Sequence, residues 1–142
     1  MRRLVLCVVL LFLGICGTPA EAARIVVTID GLHSGDGDVY VALFSRSEGF
    51  PDGDYSDRHQ KLKASTTPLR VVFDDLAPGT YAIGAYHDEN ANGRFDTNFV
   101  GYPVEGYALS NGIRAVISRP RFVDAAFAVG SEDKQVVLHI KY

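Results

Sequence analysis

The chain has 142 residues, of which 47% are hydrophobic, and its formal net charge is −3 at pH 7. This length suits one domain with a buried core. The weak acidity and the lack of a basic patch argue against nucleic acid as a partner.

The N-terminal segment shows the pattern of a secretory signal peptide. Two arginines precede the apolar run Leu4–Ile15, and Ala20-Glu21-Ala22 fits the small-x-small rule for cleavage. The run is too short to span a bilayer comfortably, and no later apolar segment approaches the required length. We therefore expect removal of residues 1–22, one domain at residues 23–142, no membrane span, and a periplasmic or secreted location.

Cleavage would remove both cysteines, Cys7 and Cys16, so the mature chain could form no disulfide even in an oxidising compartment. It would also remove Arg2, Arg3 and Glu21, which leaves 12 basic and 16 acidic side chains and a formal charge of −4. The fold must then depend on its core, with help from an ion if one binds.

Alternating apolar residues predict a series of short strands. The predicted strands lie at residues 25–29, 38–45, 69–73, 81–87 and 136–140, with shorter segments around 101–104, 107–109 and 126–129. The second strand is apolar on both faces, which predicts cover on both sides. Residues 46–65 are polar, so we expect a long excursion with room for one short helical turn. Arg121–Ala125 fits a short helix.

The corner at Leu76–Tyr81 is typical of a sandwich. Pro78 presets φ, Gly79 accepts a positive φ, and the Tyr81 hydroxyl can bond back to the turn. Short strands with regular turn signals and no long amphipathic helix predict an all-β fold. We expect a single antiparallel β-sandwich, Ig-like or transthyretin-like, with long loops and one short helix.

Residues 88–96 carry the oxygen spacing of the first nine positions of an EF-hand calcium loop. The predicted metal ligands are the side chains of Asp88, Asn90 and Asn92 at positions 1, 3 and 5, the Arg94 carbonyl at position 7 and Asp96 at position 9. Gly93 at position 6 permits the sharp turn. The spacing predicts a structural Ca²⁺ ion as the cofactor, bound in the weak range of roughly 10⁻⁴ to 10⁻³ M.

The closing ligand of this pattern is missing, because position 12 is Phe99 rather than a bidentate glutamate. Glu105 is the best acidic candidate to complete the site, and Asn98 is nearer in sequence. The alternative is a metal-free Asn-Gly turn, in which Asp88 and Asn90 bond to nearby backbone amides. In that case Glu105 would cap backbone amides.

His87 precedes the loop and invites a catalytic interpretation. By alternation it faces the core, so we expect it to fill the end of the core and bond to backbone. The cluster at residues 101–107, followed by Ser110-Asn111-Gly112, could cradle a ligand, and a tightly turned connection is the simpler interpretation. A triad of Ser110, His87 and an aspartate lacks the nucleophile elbow that would support it.

These motifs resemble a family of small exported bacterial proteins that is known as a domain of unknown function. The shared motifs are Gly37-x-Val39-x-Val41-Ala42-Leu43-Phe44, Leu76-x-Pro78-Gly79-Thr80-Tyr81-Ala82, His87-Asp88-x-Asn90-x-Asn92-Gly93, Asp96-Thr97-Asn98, Gly101-x-Pro103-x-Glu105-Gly106, Ser110-Asn111, Phe122 and Asp124-Ala125. The resemblance covers nearly all of the mature chain except the loop at residues 46–65. It implies a secreted or periplasmic β-sandwich and no particular activity. The Leu-x-Pro-Gly-Thr-Tyr corner is also similar to corners of transthyretin-like and collagen-adhesin B-type domains.

We therefore expect a calcium-stabilised binding or envelope-associated module rather than an enzyme. Its partner would be a glycan, a peptide or an envelope protein. One alternative is a periplasmic hydrolase that uses the metal, or Glu105 with His87, near Tyr102 and Tyr107. A deep pocket that joins these residues would favour the hydrolase.

A second alternative is a structural component of the envelope. It is favoured if the face formed by Tyr40, Phe44 and Tyr86 is exposed and pairs between protomers.

Overall fold

The computed structural model describes residues 22–114 and 118–142. The predicted signal peptide lies outside these residues, apart from Ala22. The described strands are β1 (Ala23–Asp30), β2 (Asp38–Phe44), β3 (Arg58–Lys63), β4 (Leu69–Leu76), β5 (Gly79–Asp88), β6 (Gly106–Leu109), β7 (Phe127–Val129) and β8 (Lys134–His139). The helical segments are the 3₁₀ turns Gly53–Tyr55 and Ser110–Gly112 and the single-turn helix α1 (Phe122–Ala125). Within the described ranges, no helix has the length and hydropathy needed to cross a membrane.

The strands form two sheets, which confirms the predicted all-β sandwich. One sheet has the order β4-β1-β8, and the other has the order β3-β2-β5-β6, with β7 paired to the beginning of β5. One pairing departs from the antiparallel expectation, because β8 lies parallel to β1. A parallel pair requires a crossover connection, and here the chain passes through the second sheet between these two strands. The finer assignment to an Ig-like or transthyretin-like fold stays a prediction.

The main core lies between the two sheets. Strands of both sheets turn one side chain in two inward, as the alternation predicts. The inward set includes Ile25, Val27, Ile29, Val39, Val41, Leu43, Val71, Phe73, Ile83, Ala85 and Leu138. Each of these side chains is almost completely removed from water, and burial of this apolar surface is the main stabilising contribution.

A second apolar cluster covers the outer face of the larger sheet. It consists of Phe44, Phe50, Ala82, Leu109 and Ala125. Phe50 comes from the loop after β2 and Ala125 from α1. These two segments therefore pack on that face around Phe44, Ala82 and Leu109. The predicted cover on both sides of β2 is therefore confirmed at Phe44.

The excursion after β2 contains a strand that the sequence did not predict. The short helical turn is confirmed at Gly53–Tyr55, but β3 (Arg58–Lys63) pairs along the whole of β2. Its sequence is dominated by charged and polar side chains and lies at the edge of the sheet. Charged edge strands of this kind lack the alternation that marks a buried strand.

The corner before β5 forms with the predicted tyrosine bond, but the positive φ lies at Asp75 and not at Gly79. The Tyr81 hydroxyl donates to the Ala77 carbonyl oxygen at 2.8 Å, which confirms the expected bond back to the turn. This corner delivers β5 in the register that opposes Asp88 to Asp38 of β2. The far end of β5 therefore leads directly into the loop at residues 88–96.

Candidate metal site

Asp88 is the fully buried anchor of the loop. Its Oδ1 accepts from the backbone N–H of Asn92 at 3.0 Å, and its Oδ2 accepts from that of Gly93 at 2.8 Å. Gly93 has φ of 77°, a conformation that glycine adopts without strain. On the other side of Asp88, a side chain at Gly37 would collide with the Asp88 carbonyl oxygen, so the turn before β2 packs tightly against it. The carboxylate is thereby fixed in position and orientation.

The side chains at positions 3, 5 and 9 of the predicted calcium loop converge on one point. Asn90 Nδ2 and Asn92 Nδ2 donate to the same oxygen, Asp96 Oδ2, at 2.8 and 2.7 Å. A half-turn of either terminal amide would present its oxygen where its nitrogen now lies. The amide oxygens meanwhile accept backbone N–H groups, Asn90 Oδ1 from Asn92 at 2.9 Å and Asn92 Oδ1 from Arg94 at 2.8 Å.

Glu105 reaches this loop from the beginning of β6. Its Oε2 accepts from the Asp96 backbone N–H at 3.0 Å, and the residue is only 6% exposed. Its other oxygen, Oε1, is the only buried side-chain oxygen or nitrogen without a hydrogen-bond partner among the residues that the structure describes. Burial raises the pKa of this carboxyl, and the negative charges of Asp88 and Asp96 raise it further, against the lowering effect of the Asp96 N–H.

The structure thus brings together all five predicted ligand side chains, four from the loop at residues 88–96 and Glu105 from the segment before β6. Arg94 lies in the same loop with its side chain exposed. Asn98 is used elsewhere, because its Oδ1 accepts from the backbone N–H groups of Val100 and Tyr102. The carboxylates do not form a cage by themselves: no three His, Cys, Asp or Glu side chains are arranged as a metal site in residues 22–114 and 118–142. A cation held here would draw on amide and carbonyl oxygens as well.

The hydrogen bonds of the metal-free turn are present, and among the buried side-chain oxygens and nitrogens of the described residues only Glu105 Oε1 is left without a partner. Asp88 and Asn90 bond to backbone amides in the way that alternative predicts, and Glu105 Oε2 caps one more. A buried carboxylate oxygen without a donor is costly, because it has lost its hydration and gained nothing. Glu105 Oε1 is therefore the atom of this site that a cation or a hydrogen-bond donor would stabilise.

Residues 96–104 form a projecting β-hairpin, which we call the apical hairpin. Its arms are joined by bonds from Val104 N to Asp96 O at 3.1 Å and from Asn98 N to Tyr102 O at 2.8 Å. Phe99 and Val100 form its tip and are 100% and 70% exposed. The base of the hairpin coincides with the Asp96–Glu105 contact.

An aromatic row supports the loop from below. Tyr40, Tyr86 and Tyr107 lie opposite one another on β2, β5 and β6. The rings of Tyr40 and Tyr86 stack with centroids 4.9 Å apart, and Phe95 of the loop lies 5.3 Å from Tyr86 and 5.8 Å from Tyr107. Lys61 and Arg114 cover the two ends of the row, each 5.2 Å from a ring centroid. The sequence analysis assigns Tyr40 and Tyr86 to one face, and only the register shows that they adjoin each other and Tyr107.

The row also bears on the structural-component alternative. That alternative required Tyr40, Phe44 and Tyr86 to share an exposed face, and the structure buries Phe44 completely. Burial raises the pKa of the Tyr86 hydroxyl above its usual range. The face is therefore already covered in part by residues of the same chain.

His87 occupies the core end of β5, as predicted. It is fully buried, its Nδ1 bonds to the Tyr142 hydroxyl at 2.6 Å, and its Nε2 bonds to the Asp36 carbonyl at 2.7 Å. Both ring nitrogens are thus engaged in structural contacts.

The structure does not bring Ser110 and His87 together as a catalytic triad would require. The Ser110 hydroxyl donates to the Ala125 carbonyl at 2.6 Å and accepts from Ile83 N at 3.0 Å, at the opposite end of the β5–β6 pair from His87. Two surface depressions, of about 430 and 260 Å³, are lined by residues 46–56 and by residues of β8 with Ser110, Asn111 and Phe127. Neither of them joins Glu105 to His87.

Comparison with known protein families matches residues 27–137 to the family described as an uncharacterized protein conserved in bacteria, DUF2141. The match spans every strand of the sandwich except the ends of β1 and β8, and it includes the loop at residues 88–96 and Glu105. No curated protein and no solved structure matches the chain. The chain therefore belongs to the DUF2141 family of conserved bacterial proteins.

Proposed function

We propose that this protein is a non-enzymatic, exported β-sandwich module in which one Ca²⁺ ion joins the loop at residues 88–96 to the Glu105 segment. The observation that carries the proposal is Glu105 Oε1, a buried carboxylate oxygen without a donor beside two further carboxylates. The ligands would be Asp88, Asn90, Asn92, Asp96 and Glu105 with the Arg94 carbonyl. The partner of the module is a molecule outside the cytoplasm, such as a glycan, a peptide or another envelope protein.

The donor set favours calcium over other cations. It consists of carboxylate and amide oxygens, which suit hard cations, and it contains neither a thiolate nor an available imidazole. Mg²⁺ demands stricter octahedral geometry and releases its water reluctantly. Three carboxylates shared with neutral amides correspond to a dissociation constant of roughly 10⁻⁴ to 10⁻³ M.

The ion would act as a clamp rather than as a catalyst. Asp88 ends β5, Asp96 begins the apical hairpin, and Glu105 leads into β6. A cation between them would cancel the repulsion among the three carboxylates and give Glu105 Oε1 a partner. The loop and the hairpin base would then be held to the sheet at a fixed distance.

Thermal unfolding with calcium and with excess EDTA tests the clamp. At about 10 mM Ca²⁺ we expect a stabilisation of about 2 kcal/mol, a rise in Tm of roughly 5 to 10 °C. Glu105→Gln should lose most of this rise, because the amide removes a charged ligand. Glu132→Gln, the same change at an exposed position in the turn before β8, should keep it in full. An unchanged Tm of the wild type at millimolar calcium would rule out the ion.

A further inference from the structure

The apical hairpin concentrates the exposed apolar surface of the molecule. Nine large apolar side chains are strongly exposed among the described residues, and five of them lie within residues 95–104. These five are Phe95, Phe99, Val100, Tyr102 and Val104. No charged side chain occurs from Thr97 to Val104. A protruding apolar tip of this kind marks an interaction site rather than an ordinary surface turn.

Several backbone N–H groups near the tip are bonded within the hairpin. Asn98 Oδ1 accepts from the N–H groups of Val100 and Tyr102 at 3.1 and 2.9 Å. The N–H of Gly101 donates to the Asn98 carbonyl at 2.9 Å, and that of Asn98 donates to the Tyr102 carbonyl. Four donors near the tip are therefore satisfied inside the hairpin. Each backbone group that is paired in this way lowers the cost of moving the tip out of water.

The hairpin is held rigidly at its base. Asp96 bonds to Val104 through its carbonyl and to Glu105 through its N–H, and Phe95 is inserted into the aromatic row. These contacts are all made between groups of the protein itself. A tip ordered before it binds loses little conformational entropy on binding.

Polar and apolar residues are separated along the hairpin axis. Phe99 and Val100 lie at the tip, and Tyr102 follows them on one arm. The charged side chains Arg94, Asp96 and Glu105 come only at the base. This order matches the profile of a bilayer surface, in which hydrocarbon lies beneath an aromatic-rich interface and polar headgroups.

The size of the tip also separates a bilayer from a protein partner. Two apical side chains bury on the order of 300 Å², whereas a stable protein interface needs about 1,200 Å² or more. The two tip side chains alone cannot supply that area to a second copy of this chain. A bilayer requires no such area, because it closes around whatever enters it.

We propose that the apical hairpin docks this protein on a lipid bilayer surface by inserting Phe99 and Val100 below the headgroups. The docking goes beyond the calcium clamp and does not require it, since the contacts at the base of the hairpin are made between protein groups. The attachment is weak and reversible, because two side chains bury less apolar surface than a single acyl chain.

Tryptophan fluorescence tests the docking directly, since the chain has no tryptophan of its own. Phe99→Trp, in protein purified from the periplasm of an expressing bacterium, should shift to the blue with neutral phosphatidylcholine vesicles. Brominated lipid in the same vesicles should quench its emission. Tyr55→Trp places the probe at an aromatic position that is 58% exposed and lies outside the hairpin, in the 3₁₀ turn after β2, and it should show neither change.

Flotation with the same vesicles measures the attachment without a probe. Phe99→Ser with Val100→Ser should lower the bound fraction at least tenfold, and 0.5 M NaCl should leave the wild-type fraction unchanged. Thermal melts of the wild type and the double variant should be nearly equal, because Phe99 is fully exposed and Val100 is largely exposed. The proposal would be overturned if the emission of Phe99→Trp did not shift, or if both tryptophan variants shifted equally. It would also be overturned if sedimentation showed self-association that depends on Phe99. The calcium melts of the double variant keep the two proposals distinguishable, since its rise in Tm should persist.

Discussion

At the scale of single residues, the protonation of Glu105 links the candidate site to pH. Its pKa is raised above the ordinary value of 4.5 by burial and by the charges of Asp88 and Asp96. A carboxyl with a raised folded pKa contributes stability below its unfolded pKa and loses it as the pH rises through the folded value. Without calcium, ionisation of this carboxyl therefore costs more free energy in the folded state than in the unfolded chain.

Urea unfolding in EDTA at a series of pH values would measure this cost as a change in the free energy of unfolding. From about pH 4.5 to neutrality, we expect the free energy of unfolding of the wild type to fall relative to that of Glu105→Gln, because only the wild type must ionise a buried group. Saturating calcium should make the wild type the more stable of the two proteins at neutral pH. A difference that stays constant over the whole pH range would contradict the assigned environment of Glu105.

At the scale of elements, the loop at residues 88–96 depends on the aromatic row. Phe95→Ala should lower the free energy of unfolding by about 1 to 2 kcal/mol, because it removes the ring that contacts both Tyr86 and Tyr107. Phe99→Ala deletes the same ring four residues later, at a fully exposed position, and should change stability by less than about 0.5 kcal/mol. Chemical denaturation of the two variants provides the comparison. Equal losses would show that Phe95 does not anchor the loop.

The elements also show what could be predicted from the sequence. Alternation located β1, β2, β4, β5 and β8 because each turns apolar side chains into the core. It missed β3, where the pairing is made by backbone groups and the side chains are charged. Backbone pairing of an edge strand leaves no pattern in the side chains, so it could not have been found that way.

The candidate site divides in the same way. Local spacing was enough to group Asp88, Asn90, Asn92 and Asp96, since all four lie within one tight loop. Glu105 was the best acidic candidate on distance along the chain, and its contact with Asp96 N is found only in the folded structure. The aromatic row needed the register of three strands, which no single segment specifies.

At the scale of the whole molecule, Tyr142 packs against His87 and His33 next to the candidate site. The Tyr142 hydroxyl bonds to His87 Nδ1, and its ring stacks on His33 with centroids 3.7 Å apart. Tyr142→Phe keeps the ring and removes the hydroxyl, leaving a buried ring nitrogen without its partner. We expect a loss of about 1 to 3 kcal/mol in the free energy of unfolding.

The control for that variant lies at the exposed hydroxyl of Tyr55, where replacement by phenylalanine should have almost no effect. Equal stability of Tyr142→Phe and the wild type would mean that water replaces the lost bond. Both proteins should unfold in one cooperative transition, because the two sheets share one core.

The parallel pairing of β1 with β8 has a consequence for the order in which the protein can be completed. Synthesis delivers β1 first and β8 last, and β1 lies between β4 and β8. One edge of β1 can therefore pair once residue 76 has emerged, whereas the other edge stays open until residues 134–139 arrive. Contacts between such distant parts of a chain form slowly. The nascent chain thus leaves one edge of an apolar strand unpaired until residues 134–139 emerge, and a chaperone that shields this edge would meet a need built into the topology.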